Sequence, residues 1–262
     1  MTDGKPVGKF VGIGVGPGPA RLLSVAAWEE LQRCNLICYP RATSHKSSTA
    51  LHALTGLKLP QAEWREFTFE MSSNRNLLRS HYAELALSLG RELELGRQVG
   101  YLTLGDSLTY STYGYLITAL REIYPQLQHR TYAGITSFAA IAAHFDWPLG
   151  EGKERVLLLP CPEEMSDLQA DILTHDLVVL MKIGRRLPKV LELLEDMEID
   201  RHCVFAQRLG FEEERTSRGL DDLSRDAENG YLSTMLIRRE AYQPRHQLPN
   251  QSIGEILPEP TE

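Results

Sequence analysis

Hydrophobic positions recur along the chain with two periods, and the alternation between them predicts its elements. Residues 9–13 form a short apolar run read as a strand, and glycines at 12, 14, 16 and 18 punctuate its end and the loop beyond it. From about Ala20 a helix is expected, with Leu23, Ala26, Ala27, Leu31 and Cys34 inward and Glu29, Glu30 and Arg33 facing solvent. A second strand over 36–39 is expected to stop at Pro40. The polar stretch 74–98 carries Leu78, Tyr82, Leu85, Leu89 and Leu93 on one face, the stripe of an amphipathic helix. A strand over 99–104 ends at Gly105-Asp106. Ser111 is then expected to cap a helix through Tyr115, Leu116, Leu120 and Ile123.

Tyr124-Pro125-Gln126 ends that helix and marks the expected boundary between an N-terminal domain, 1–126, and a C-terminal one, 127–240. The second part opens with a strand over 129–132 and a helix over 137–145. Apolar runs 155–159 and 177–183 are of the buried-strand kind, each followed by a helical segment, of which 187–197 is the clearer. A strand over 202–207, a charged segment 212–226 read as an edge hairpin, and a last strand over 231–237 complete it. Strands alternating with helices imply an α/β fold, two α/β domains with mostly parallel sheet. Residues 241–262, rich in Pro, Gln and Glu, are expected to form a loose tail.

Composition changes this picture little. The 262 residues are 42% apolar and 24% charged, an ordinary globular mixture, and no apolar stretch reaches the roughly 20 residues of a membrane span. The N-terminus lacks a secretory pattern, so a cytoplasmic location is expected. Cys34, Cys38, Cys161 and Cys203 form no CxxC pair and read as reduced core thiols, with no metal site. A net charge of −7 leaves no broad basic face, so neither a nucleic-acid nor a membrane partner is expected. One local exception is the stretch between Cys38 and Leu54, where Arg41, His45 and Lys46 meet no carboxylate. It reads either as a solvated loop or as a landing site for an anionic small molecule.

The loop from Gly12 to Pro19 comes after a strand, where glycines let backbone approach a ligand. It is not a dinucleotide fingerprint: in GxGxxG register from Gly12 the last glycine falls on Pro17, and from Gly14 on Pro19. The second strand ends Cys38-Tyr39-Pro40 without a ribose-binding acid, and no phosphate-loop lysine is present. A nicotinamide enzyme is therefore disfavoured. Two further strand ends carry Gly105-Asp106-Ser107 and Ala133-Gly134-Ile135-Thr136-Ser137. By itself each has a plain reading, a turn closed by Asp106 or a helix capped by Thr136 or Ser137. Together they put glycines and small hydroxyl residues at three strand ends, where ligands of parallel sheets sit.

In this order and spacing, over about residues 9–240, Gly14-Val15-Gly16-Pro17-Gly18, Gly105-Asp106-Ser107 and Ala133-Gly134-Ile135-Thr136-Ser137 resemble the motifs of the tetrapyrrole methylases. The Tyr110-Ser111-Thr112 run is most similar to the branch that methylates C-20 of precorrin-2 or its cobalt form, on the path to cobalamin. The resemblance implies S-adenosylmethionine in the cleft between the two α/β domains, leaving as S-adenosylhomocysteine. Matching positions imply Pro17, the backbone of Leu104, Gly105 and Asp106, and Thr109 around the cofactor. Thr136 and Ser137 would join from the second domain, with Met181 and Leu209 flanking the adenine. Ser107 and Ala133 stand where the family has proline, and Lys182 where many members have glycine. The family is commonly homodimeric.

A tetrapyrrole bearing carboxylates calls for cations, and Arg41, Lys46 and Lys182 meet that need, with His45 and Tyr110 beside them and Arg75 and Arg79 further out. A sulfonium methyl is already activated, so positioning dominates. Tyr110, Tyr113 and His45 are candidates to take the proton lost after transfer, and none is assigned as the base. Other acceptors within the family, among them another precorrin carbon, uroporphyrinogen or ribosomal RNA ribose, remain open, as does a non-catalytic tetrapyrrole-binding protein.

Overall fold

The computed structural model describes residues 8–43, 46–69, 75–221, 223 and 230–242, with only backbone at 75–77. His45, the side chain of Arg75, part of the segment 212–226 and the tail beyond Tyr242 lie outside the described residues.

The first sheet is ordered β3-β2-β4-β1-β5, with β1 Lys9–Gly14, β2 Leu36–Ala42, β3 Glu63–Phe69, β4 Val99–Thr103 and β5 Gln128–Tyr132. All its pairings are parallel. Both faces are therefore covered, and alternate residues feed opposite cores. Phe10, Tyr101 and Cys38 pack under helices α3 (Arg75–Glu94) and α4 (Tyr113–Ile123), against Tyr82, Leu85, Leu89, Leu93, Leu116 and Leu120. Val11, Ile13 and Leu102 meet the opposite face, with Ala27 and Leu31 of α1 (Val25–Leu31) and Ala50 of α2 (Thr49–His52). The strand at 128–132 lies beyond the expected boundary at 126, yet it hydrogen-bonds along β1 as the edge of this sheet.

The second sheet is ordered β6-β7-β10-β8-β9, with β6 Val156–Pro160, β7 Leu177–Met181, β8 Cys203–Gln207, β9 Arg215–Arg218 and β10 Ser233–Arg238. Helices α6 (Met165–Thr174) and α7 (Leu187–Asp196) cover one face and α5 (Ser137–His144) the other. Only β6 and β7 pair in parallel; β10 runs antiparallel to both neighbours, and β9 antiparallel to β8. The expectation of mostly parallel sheet is thus corrected here. Parallel neighbours need a long crossover, usually helical, and no α-helix follows β8 among the described residues.

Local expectations also change. Ala20–Leu22 is a short 3-10 turn, and α1 begins after Ser24, whose hydroxyl accepts the Ala27 N–H at 3.2 Å. On that helix Glu30 shares the inward face with Ala27 and Leu31, so it is buried rather than solvent-facing, while Ala26 is exposed. Burial of a carboxylate requires partners, and Glu30 has four: Lys9 Nζ at 2.5 Å, Gln98 Nε2 at 2.7 Å, the Tyr132 hydroxyl at 3.0 Å and Arg33 at 3.3 Å. Strand β2 runs through Pro40 to Ala42. β4 pairs it only as far as Cys38, so the proline falls where one side of the strand is already free of the ladder. All four cysteines are free and buried, and burial pushes the Cys34 and Cys203 thiols up to about 12.

Candidate functional site

In the first sheet the chain leaves β1 toward β2 on one side and leaves its neighbour β4 toward β5 on the other. Such a reversal opens a crevice at the carboxyl ends of the two strands. The loops leaving those ends are zipped together: Val15 N–H donates to Thr103 O at 2.9 Å, Gly16 N–H to Gly105 O at 3.1 Å, and Gly105 N–H to Gly16 O at 2.8 Å. The turn after β5 joins them. A Cβ on Gly14 would lie 2.5 Å from Gly134 N and 2.9 Å from Gly105 O, and one on Gly134 would strike Gly105 O. The three glycines singled out in separate motifs are therefore one point of contact between three chain segments.

Asp106 organises this point. Its Oδ1 accepts the N–H groups of Leu108 and Thr109 and the Thr109 hydroxyl, each at 2.9 Å, and its Oδ2 accepts the Gly134 N–H at 3.1 Å. Burial resists the charge of Asp106, but these hydrogen bonds outweigh it and hold the carboxyl below its ordinary range. Ser107 is buried and donates to Tyr132 O at 3.3 Å, fastening the same loop to β5. At the end of β4 the buried Thr103 hydroxyl has no hydrogen-bond partner among the described residues.

The second sheet presents its own ends nearby. Thr136 caps α5, its hydroxyl accepting the Ala139 N–H at 3.3 Å, and Ser137 Oγ lies 3.0 Å from Thr234 Oγ1. Thr234 pairs in register with Met181, and Met181 and Leu209 both pack, half-buried, against the α5 face of the sheet. Buried Pro17 belongs to the loop whose Gly18 abuts Gly210, and a Cβ on Gly18 would meet the Phe211 ring at 3.1 Å. Thr234, Gly210 and Phe211 were missed from sequence. Gly210 could have been found, because it comes after a strand end just as Gly105 and Gly134 do.

The remaining candidates divide. Arg41 stands near the carboxyl end of β2 but is bound to Glu66 at 2.7 Å, and Arg79 of α3 faces Glu122 at 3.5 Å. Lys46 is exposed. Tyr110 reaches across to the second sheet, its hydroxyl donating to Leu158 O at 3.1 Å, and Lys182 Nζ lies 5.8 Å from its ring centre. Tyr113 is a core group rather than a base at a surface. It is fully buried, with its hydroxyl 2.6 Å from Thr131 Oγ1 and its ring stacked on Phe10. Among the described residues no cluster of His, Cys, Asp or Glu could hold a metal ion, and no helix is long and apolar enough to cross a membrane.

Residues 9–221 match the family model described as tetrapyrrole (corrin/porphyrin) methylases. A cobalt-precorrin-2 C(20)-methyltransferase of Salmonella typhimurium is 28% identical over 89% of this chain and 97% of its own length. A probable cobalt-precorrin-2 C(20)-methyltransferase of Methanocaldococcus jannaschii is 30% identical over 90% and 98%. Among solved structures, a putative cobalamin synthesis related protein of Corynebacterium diphtheriae superposes with a TM-score of 0.66 at 17% identity, covering 88% of this chain and 98% of its own. A uroporphyrin-III C-methyltransferase of Thermus thermophilus, complexed with S-adenosylhomocysteine, does so with a TM-score of 0.60 at 18% identity, covering 88% and 92%. With the match spanning most of the chain, this protein belongs to the tetrapyrrole methylases, and its chemistry is methyl transfer from S-adenosylmethionine to a tetrapyrrole.

Proposed function

We propose that this chain methylates C-20 of precorrin-2 or cobalt-precorrin-2, a step toward the corrin ring of cobalamin. The observation that carries the reading is the meeting of Gly14, Gly105 and Gly134 at the crevice between β1 and β4. The Salmonella and Methanocaldococcus relatives, matched over nearly their full length, both bear a C(20)-methyltransferase name, which supports the choice of carbon.

We further propose two units, the first sheet with β5 included and the second sheet with α5 to α7, and a cofactor cleft between them. The residues present fit the cofactor. The Gly105 backbone is open on its Cβ side, with Ile135 O the nearest atom at 3.9 Å, the buried Thr103 hydroxyl has no partner among the described residues, and the turns after β4 and β5 carry the hydroxyls of Thr109, Thr136 and Ser137. Pro17, Leu104, Gly105 and Asp106 would form one wall, and Met181 and Leu209 an apolar wall for the adenine. Asp106 would act by holding the loop, since its oxygens already accept four hydrogen bonds. When bound, the sulfonium supplies an activated methyl group. The protein has only to seat the electron-rich carbon in line with it, and positioning of this kind contributes roughly 7–11 kcal/mol. Arg41, Lys46, His45 and Lys182 would receive substrate carboxylates, and a homodimer is the assembly we expect.

Incubation with S-adenosylmethionine and either precorrin-2 or cobalt-precorrin-2 tests the reading. A mass gain of one methyl, located at C-20 by carbon NMR, is expected. Methylation at another carbon, or none with either substrate, would overturn it.

A further inference from the structure

Two residues outside the glycine contact share an uncommon state. Tyr110, four residues after Asp106, and Lys182, directly after β7, are non-glycine residues held in the left-handed region, with φ of 50° and 53°. Such strain persists where surrounding structure enforces it, and it gathers at ligand clamps. Here it turns the two side chains toward each other: the Lys182 amine lies 5.8 Å from the centre of the Tyr110 ring. The Tyr110 hydroxyl is anchored on Leu158 O at 3.1 Å, in the strand beside β7, so the ring is fixed from both ends.

Among the described residues, the arginines offered for substrate carboxylates, and Arg186 just beyond Lys182, have their charge met by carboxylates. Arg41 is answered by Glu66, Arg79 by Glu122 and Arg186 by Glu163. Arg208 offers the sharpest contrast. It too is left-handed, with φ of 50°, and lies over an aromatic ring, that of Tyr231, yet Glu213 stands 3.7 Å away. No carboxylate among the described residues pairs with Lys182, which is exposed. An aromatic face attracts an ammonium without neutralising it. The amine is thus placed while its charge stays available for an anion.

We propose that Lys182, poised over the Tyr110 ring, is the station that takes one carboxylate arm of the tetrapyrrole and so sets its seating beside the cofactor wall. This rests on the methyl-transfer reading. Lys182 is the binding group and Tyr110 the positioning residue. With a left-handed φ of 53°, the backbone at Lys182 would accept glycine without strain.

The test uses the full chain with Lys182→Gly, Lys182→Met, Lys182→Arg, Tyr110→Leu and Tyr110→Phe. Retained S-adenosylhomocysteine binding in calorimetry establishes that each variant is folded. Loss of one charge-assisted hydrogen bond corresponds to about a ten-fold rise in KM for the tetrapyrrole. That rise is expected for Lys182→Gly and Lys182→Met with kcat little changed, and Lys182→Arg recovers most of it. Tyr110→Leu raises KM by itself, more than Tyr110→Phe, and adds nothing in the Lys182→Gly background. Unchanged KM in both charge-removing variants, or additive effects of Tyr110→Leu, would overturn the pairing. Uroporphyrin, followed by its own fluorescence anisotropy, separates this from the parent reading. If wild type methylates neither precorrin but Lys182→Gly binds uroporphyrin about ten-fold more weakly, the substrate assignment falls and the station stands. Equal uroporphyrin binding by wild type and Lys182→Gly sinks the station.

Discussion

Asp106 Oδ2 accepts the backbone N–H of Gly134 at 3.1 Å, which ties the loop after β4 to the turn after β5. The carboxylate is therefore a structural part of the crevice, and its other oxygen shapes the loop through Leu108 and Thr109. A glycine-aspartate turn that reads from sequence either as a turn closed by Asp106 or as part of a cofactor wall acts first as the clasp between two strand ends.

Replacing the clasp should loosen both. Asp106→Ala leaves the N–H groups of Leu108, Thr109 and Gly134 without their acceptor and should lower unfolding free energy by about 2 kcal/mol. It should also weaken S-adenosylhomocysteine binding. Denaturant titration and calorimetry measure the two effects, and wild-type affinity in a destabilised protein would separate clasp from cofactor.

Gly134→Ala places a methyl group against Gly105 O, backbone against backbone, where no side chain can yield. Overpacking of this kind costs typically about 1–3 kcal/mol. The expected result is a lower melting temperature together with loss of cofactor binding. A variant with native stability and native affinity would show that the three segments do not meet as described.

Glu30 ties acid stability to a buried network. Burial opposes its charge, but hydrogen bonds from Lys9, Tyr132 and Arg33 and the Lys9 charge prevail, and its carboxyl is held below the ordinary glutamate value. A depressed carboxyl contributes stability that is fully present above its unfolded value and is lost as pH falls through its lowered folded value. Stability should therefore drop below the ordinary carboxylate range, and Glu30→Gln should flatten that acid limb while costing about 1 kcal/mol at neutral pH, since Lys9 and Arg33 are partly exposed to solvent. Urea denaturation over a pH series reads both; an unaltered acid limb would remove Glu30 as its source.

Arg41→Ala should raise the substrate KM and leave S-adenosylhomocysteine affinity unchanged. Because Glu66 already meets the guanidinium, the rise should be modest, about three-fold, the scale of one exposed ion pair. Unchanged substrate kinetics would take Arg41 off the substrate side of the cleft.

Much of the fold was legible. The stripe from Leu78 to Leu93 packs as its spacing demands, and β1, β4 and β5, which lead into Gly14, Gly105 and Gly134, stand close to where the sequence predicts them. β3 escaped notice because Glu63, Arg65 and Glu66 interrupt its apolar pattern; an edge strand can spend those positions on ion pairs, as Arg65 does with Glu63 and Glu92. Glu30 was misplaced because charge was read as exposure, although its partner Lys9 lies 21 residues away on β1. Antiparallel pairing of β10 was equally hidden, since the direction of a returning strand depends on how the chain travels between sheets.

The sequence alone determined the order of most strands and helices, β3 excepted, and the three small, glycine-bearing strand ends. Those features depend on periodicity and on backbone freedom, which neighbouring residues settle among themselves. Tertiary structure alone decided which of those ends touch: Asp106 with Gly134 across 28 residues, Tyr132 with Glu30 across 102, Tyr110 with Leu158 across 48. Sheet order brings such pairs together, and no local preference encodes a partner that distant. The glycine loop is therefore a turn in the sequence and becomes a wall of the crevice only where β1, β4 and β5 end side by side.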